Sequence, residues 1–389
     1  MDRVRLGDVA KITSGSTAPK ENEFNSEQKG FPFIRAGHLG LLLSGTKEND
    51  LPYITCELAE NKKLTKVPKG TVIFAKSGMS CMKNRIVELS EECLIVNHLA
   101  AINCHESVLP KYLKYFLMKN PPSRLVVDEA YPSIRLSDIS NIVLNLPDLP
   151  TQQKIANTLD KAAELIEKRK TQITALDDLT QSIFHDMFGD PTTNEKEFEV
   201  GQIRDLIVEA KYGTSAKADD SKGEFAYLRM NNITYQGRMD FANLKYIDLN
   251  EIDQEKYIVQ YGDLLFNRTN SKELVGKTAV YNKKEPMAIA GYLIRVRSNE
   301  LANTNYISGY LNSKHGKKTL QNMCKNIVGM ANINAKELQS IKILISPIEL
   351  QNKYAEIVQK IEQQRVLLQQ GLVELETNFN ALMQKVFKG

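Results

Sequence analysis

The sequence predicts an α+β protein: two similar mixed α/β domains separated by two long antiparallel coiled-coil helices, the whole a pseudo-two-fold tandem repeat. Three observations carry that expectation. The chain of 389 residues matches itself when slid by about half its length, two stretches hold heptad seams, and the remaining segments mix short strand-like runs with a few helical ones. A chain this long exceeds what one hydrophobic core usually serves, so more than one domain is expected.

The repeat is plainest near the ends of the two halves. At an offset of 199, Gln152-Gln153-Lys154-Ile155-Ala156 falls on Gln351-Asn352-Lys353-Tyr354-Ala355, and the offset holds without a gap to Met187-Phe188 on Val386-Phe387. Upstream the match continues with small shifts. Lys111 to Leu117 meets Asn305 to Leu311, Gly70-Thr71-Val72-Ile73-Phe74 meets Gly262-Asp263-Leu264-Leu265-Phe266, and Phe33-Ile34-Arg35 meets Tyr227-Leu228-Arg229. One unit is written twice.

Residues 1–148 and 190–346 form the two domains in this reading. Strand-like runs at Thr71 to Ala75 and Ala279 to Tyr281, helical runs at 111–119 and 305–313, and punctuation by Gly, Asn and Pro give each domain a loop-rich surface. Residues 149–189 and 347–389 form the helices. Ile155, Leu159, Ala162, Ile166, Arg169, Ile173, Leu176, Thr180, Ile183 and Met187 alternate steps of four and three. Tyr354, Val358, Ile361, Arg365, Leu368, Leu372, Leu375, Phe379, Leu382 and Val386 repeat those steps, and no proline interrupts either set. A helix of about 37 residues spans about 55 Å. If the seams pair, the second helix runs antiparallel to the first. Arg169 and Arg365 interrupt the seams, and two readings stay open: stems covering apolar surface with heads in water, or polar residues that fix helix register.

Composition narrows the function classes. Hydrophobic and charged fractions of 42% and 25% are ordinary for a soluble globular protein. No run is long and apolar enough for a membrane span, and the first residues lack a signal-peptide core, so a cytoplasmic protein is expected. Five cysteines without a CxxC pair and scattered histidines predict neither a disulfide framework nor a metal site. The net charge of +4 is mildly basic. Its excess lies in the two domains: 19 Lys/Arg against 17 Asp/Glu over residues 1–150, and 22 against 19 over 190–345. A phosphate-facing surface requires an excess placed in this way.

Two motifs look catalytic and are read otherwise. Asn120-Pro121-Pro122-Ser123 is close to the (Asn/Asp)-Pro-Pro-aromatic motif of amino-methyltransferases, but serine replaces the ring that would stack on a flipped base. Gly276-Lys277-Thr278 is close to the end of a phosphate-binding loop, but Ser271 stands where glycine is needed and a strand follows instead of a helix. No catalytic residue is nominated. Nucleic-acid contacts are expected instead from two loops at corresponding places. Lys76, Ser77, Lys83, Asn84 and Arg85 mark the first; Asn267, Arg268, Asn270 and Lys272 mark the second. These side chains suit base edges and phosphates. Arg35, Arg229 and Asn231 are secondary candidates.

Domain, heptad helix, domain, heptad helix, with Pro-x-Leu-Pro-x-Gln at Pro147 to Gln152 and Pro-Ile-x-x-Gln at Pro347 to Gln351, resembles the specificity subunit of type I restriction–modification systems. The resemblance covers the whole chain and departs at Lys69-Gly70-Thr71, where the family more often has Gly-Asp. It implies that each domain is a target recognition domain reading one half of a split site on double-stranded DNA. The helices would set the unread spacer and dock two methyltransferase subunits, which methylate adenine N6 with S-adenosylmethionine. Restriction subunits would add ATP- and Mg-dependent translocation and cleavage, leaving no cofactor on this chain. Three alternatives stay open on sequence: a specificity chain of a type II enzyme with a fused cleavage and methylation partner, a self-contained methyltransferase, and a coiled-coil scaffold that binds no DNA.

Overall fold

The computed structural model describes residues 2–25, 29–327 and 330–388. It divides into two compact units, residues 1–168 with 371–389, and residues 169–370. Each unit therefore takes part of both long helices.

The first unit holds two four-stranded sheets. One is antiparallel and runs Ala10–Ser14, Leu99–Cys104, Val72–Ala75, Ile86–Glu88. The other runs Tyr53–Ile54, Phe31–Ile34, Cys93–Ile95, Lys66–Val67, with its two middle strands parallel. Asp2–Arg5 pairs with Val143–Leu146 beside them. Val72–Ala75 is buried along its whole length, which is why it reads as an unbroken apolar run and not as an alternation. The helix Pro110–Lys119 begins on a proline, whose missing N–H is no loss in a first turn.

The second unit repeats that topology strand for strand. Its antiparallel sheet runs Ile207–Tyr212, Leu293–Ser298, Leu264–Asn267, Thr278–Val280, and its mixed sheet Lys245–Ile247, Phe225–Leu228, Met287–Ile289, Ile258–Val259. Glu199–Gln202 pairs with Lys342–Ile345. One element lacks a counterpart sheet in the first unit among the described residues: Thr269–Asn270, Met330–Asn332 and Lys325–Ile327 form a three-stranded sheet. The helix Thr304–Asn312 is capped by the Asn303 side chain, which accepts from the Asn305 amide.

The long helices run Leu149–Phe188 and Ile348–Val386, about 60 Å each at 1.5 Å per residue. Seam residues Ile155, Leu159 and Leu382 join the core of the first unit, with Phe379, Met383 and Phe387. Ile183 and Val358 join that of the second, with Phe184, Phe188 and Tyr354. Ile166 and Ile361 are buried; Ile173, Leu176, Leu368, Leu372 and Leu375 are half-buried. Within the second unit the paired segments are antiparallel, because Arg365 Nη1 donates to the Ile173 carbonyl at 3.0 Å and Arg169 Nη1 to the Leu368 carbonyl at 3.4 Å. Arg365 is only 2% exposed, so its head does not reach water. It also meets Asp177 at 2.7 Å and Glu362 at 3.1 Å.

The two helix starts share one clamp. Gln152 is fully buried; its Oε1 accepts from Leu109 N at 2.8 Å and its Nε2 donates to the Ser107 and Pro147 carbonyls. Gln351, equally buried, accepts from Asn303 N at 2.9 Å and donates to the Leu301 and Ser346 carbonyls. Each glutamine ties the first turn of a long helix to the start of a domain helix. That is the physical content of the glutamine in both sequence motifs.

Candidate nucleic-acid interface

The loops nominated from sequence lie at the ends of the central buried strands, and a tight turn gathers them. In the first domain this turn is Val96-Asn97-His98-Leu99, closed by Leu99 N donating to Val96 O at 2.9 Å. It joins the mixed sheet to the antiparallel one. Val96 N donates to Ile34 O, Asn97 N to Ser16 O, and Lys76 N to His98 O, at 2.8–3.0 Å. The turn thus lies between Arg35, the residue after Ile34, and Lys76. The second domain builds the same turn from Ala290-Gly291-Tyr292-Leu293. Leu293 N donates to Ala290 O, Ala290 N to Leu228 O, Gly291 N to Thr214 O, and Arg268 N to Tyr292 O, at 2.7–3.0 Å. Arg229 and Arg268 flank it as Arg35 and Lys76 flank the other.

A glycine makes each turn's close packing feasible. Gly15 crosses behind the first turn, and a Cβ there would fall 2.1 Å from the Ile95 carbonyl oxygen; at Gly213 the distance to Ile289 O would be 2.2 Å. Neither needs an unusual φ. The need is for close backbone approach.

The candidates differ in how free their side chains are. Lys83, Asn231 and Lys272 are exposed. Ser77 is half-buried, and its Oγ lies 2.7 Å from His98 Nδ1. Arg35 is held by Glu21 at 2.8 Å and lies over the Phe24 ring. Arg85 packs its guanidinium against Gly40, where a Cβ would sit 2.7 Å from Nη1. Asn84 takes a left-handed conformation, φ +48°, and its Oδ1 accepts from Ser123 N at 3.2 Å. It shapes the loop.

In the second domain, Asn267 is fully buried within its strand, so its side chain does not face solvent as the loop reading expects. Arg268 stacks over Tyr212, 4.8 Å to the ring centroid, with Nη1 3.5 Å from the Gly291 carbonyl. Arg229 Nη2 donates to Asn243 O at 2.5 Å. Asn270 is half-buried, its Oδ1 accepting from Ser271 N. Lys277, from the rejected phosphate-loop motif, donates to the Met230 and Ile233 carbonyls, and burial lowers its pKa. It ties the segment after Arg229 to the strand Thr278–Val280. The Asn120-Pro121-Pro122-Ser123 run ends the helix Pro110–Lys119 and starts a short 3₁₀ turn.

The residues nominated from sequence flank this turn and do not include it. The available signal was positional: Asn97-His98 and Gly291-Tyr292 occupy matching places before the paired runs Leu99 to Cys104 and Leu293 to Ser298. No group of three or more His, Cys, Asp or Glu suited to a metal occurs among the described residues. No described helix is long and apolar enough to cross a membrane.

The family described as the type I restriction modification DNA specificity domain matches twice, over residues 1–175 and 195–377. The type I restriction enzyme EcoKI specificity subunit of Escherichia coli K12 is 23% identical over 378 residues, covering 91% of this chain and 80% of that protein. The type I restriction enzyme MjaIX specificity subunit of Methanocaldococcus jannaschii is 29% identical over 175 residues, 44% of this chain and 40% of that protein. Among solved structures, the S subunit of a type I restriction–modification system from M. genitalium superposes with a TM-score of 0.58 at 14% identity, covering 99% of this chain and 96% of that one. A chain from a structural study of complex assembly and conformational transition in the type I R-M system gives 0.61 at 18%, covering 100% and 96%. At these identities the structures establish likeness of fold.

Proposed function

We propose a function for a chain that belongs to the type I restriction modification DNA specificity family: it is the non-catalytic, sequence-specific DNA-binding subunit of a type I restriction–modification complex. One observation carries the reading. Two domains that share the same pair of four-stranded sheets present the same turn, flanked by the same pair of basic positions, but with different side chains at the tip. Reading two unlike half-sites requires a shared scaffold with variable contacts.

The finer assignments follow from this. Residues 1–148 and 190–346 act as target recognition domains 1 and 2, and the helices of 149–189 and 347–389 fix the spacer between half-sites. The helices also dock two methyltransferase subunits, through which restriction subunits join. S-adenosylmethionine, ATP and Mg belong to those partners, and the complex works in the cytoplasm. Arg365, buried against the Ile173 carbonyl and Asp177, serves as a register-fixing residue of the helix pair.

Footprinting of the full-length chain on DNA selected from a random pool tests the reading. Two protected patches with an unprotected gap are expected, and a single continuous patch, or none, overturns it. Deleting one heptad from each long helix should change the gap and leave both half-site sequences intact. Altered half-site sequences would remove the spacer role.

A further inference from the structure

We infer that His98 and Tyr292, which neither the repeat nor the loop composition nominated, are specificity-determining residues, each reading base edges in one half-site. The inference rests on the DNA-binding reading above and says which side chains do the reading.

Three features of the structure point to them. First, both side chains are exposed, Tyr292 by 52%, on a turn whose backbone is bonded to three neighbouring segments. A reading group must be held within narrow limits, and a turn fixed this way holds it without a long flexible stem. Second, the turns superimpose bond for bond while the tip residue changes from histidine to tyrosine. A position of purely structural value would have little reason to be both exposed and different. Third, three of the four flanking cations are already engaged, Arg229 by donating to the Asn243 carbonyl. Arg268 is stacked on Tyr212 and hydrogen-bonded to the Gly291 carbonyl, and Arg35 is paired with Glu21. These cations supply positive charge beside the tip, whereas each tip keeps a hydrogen-bonding atom without a protein partner among the described residues, His98 Nε2 and the Tyr292 hydroxyl.

The chemistry suits the task. His98 Nδ1 is engaged by Ser77 Oγ at 2.7 Å, and Nε2 has no protein partner among the described residues. The imidazole therefore presents one outward nitrogen, a donor in one tautomer and an acceptor in the other. Ser77 is a positioning residue: it orients the ring. Tyr292 presents a hydroxyl able to donate or accept, on a ring with two torsions to immobilise. Each is a single hydrogen-bonding group matched to the edge of one or two base pairs.

Selection of bound duplexes from a random-sequence pool by the full-length chain, its variants and the wild type in parallel, tests this. His98→Ala should lose about ten- to a hundredfold discrimination at one or two base pairs of one half-motif, with the other half-motif and the salt slope unchanged. Tyr292→Phe, which removes only the hydroxyl, should do the same in the other half. Ser77→Ala should relax the same base pairs as His98→Ala, add nothing to it in the double variant, and be rescued by Ser77→Thr. Both tips are exposed, so thermal melts should match the wild type. A wild-type motif that both variants leave intact overturns the inference alone. Equal weakening on all sequences with a shallower salt slope also overturns it, by showing phosphate contacts. A wild type that selects no two-part motif overturns the parent reading and this one with it.

Discussion

Ala101 in the first domain and Arg295 in the second occupy the same place in the same sheet, opposite Ile73 and Leu265 respectively, and the interiors around them are built differently. The first unit's buried apolar residues form one continuous cluster, whereas those of the second fall into three among the described residues. Arg295 is fully buried, held by Glu209 at 2.7 Å and by the Ile258 carbonyl. Burial pushes the Glu209 carboxyl up, but Lys211 and Arg295 outweigh it and leave its pKa below the ordinary value. Arg297 adds a pair to Asp263 at 2.8 Å. Topology is thus conserved between the halves by backbone pairing, while the means of filling the interior has drifted. A fold fixed by strand register tolerates such drift provided that each buried charge keeps its partner.

The largest predicted effect tests that proviso. Glu209→Ala should destabilise the second unit by about 3 kcal/mol, because it strands a buried guanidinium. Lys11→Ala, at the matching position in the first domain, should stay within about 0.5 kcal/mol, as exposed substitutions do. Hydrogen exchange on strands Leu293–Ser298 and Leu99–Cys104 separates the two units. Equal losses in both would show that the buried pair does not set the difference.

A second contrast is an exchange of size. In the first unit Tyr115 comes from the domain and Ile155 from the helix; in the second the matching positions are Gly309 and Tyr354. A Cβ on Gly309 would lie 2.8 Å from the Tyr354 hydroxyl oxygen and 2.7 Å from the Phe184 ring. Tyr354→Ile alone should lose about 2 kcal/mol by leaving a cavity among Phe184, Phe188 and Tyr306. Gly309→Tyr alone should clash. The double variant, which installs the first unit's Tyr and Ile at these two positions while Phe184 stays, should be less harmful than the sum of the singles. Additivity in chemical denaturation would show that the two sites are independent.

Where the halves agree, equal effects are expected. Gln152→Leu and Gln351→Leu each orphan a buried amide and two carbonyls, and each should lose about 1.5 kcal/mol. The measurement is amide protection at Leu109 and Asn303. A loss confined to one half would mean that the clamp is not a shared device.

These contrasts also mark what the sequence could reveal. The heptad seams were legible because apolar residues at a fixed period announce a buried face, and the domain pair because strand-core residues such as Val72 to Phe74 and Leu264 to Phe266 repeat. The candidate surface was legible only at its flanks. Residue type identifies Asn267 as a potential base contact but not its direction, which the strand turns inward. Arg268 looks like a free loop cation until the stacking on Tyr212 is seen. The turns carrying His98 and Tyr292 are defined by hydrogen bonds from residues far away in sequence. The Glu209–Arg295 pair was invisible for another reason: the first half has no counterpart.

The smallest effect concerns acid. Asp160, on the first long helix, accepts from Lys111 Nζ and from the Tyr115 hydroxyl, both at 2.7 Å. Burial pushes its pKa up, but these hydrogen bonds outweigh that and hold it below the ordinary value. A carboxyl depressed in the folded state contributes stability above its unfolded pKa, near 3.9, and loses it as the pH falls through the folded value. Lys111 and Asp160 side chains are 50% and 33% exposed, so solvent limits the contribution to less than about 1 kcal/mol. The second unit has Asn305 and Gln359 at the matching positions and no carboxylate to titrate there. Asp160→Asn should therefore lower amide protection of Pro110–Lys119 modestly at pH 7 and by less at pH 2, with Thr304–Asn312 unaffected at both. If the variant and wild type differed equally at the two pH values, the carboxylate's charge would not be what joins that helix to its domain.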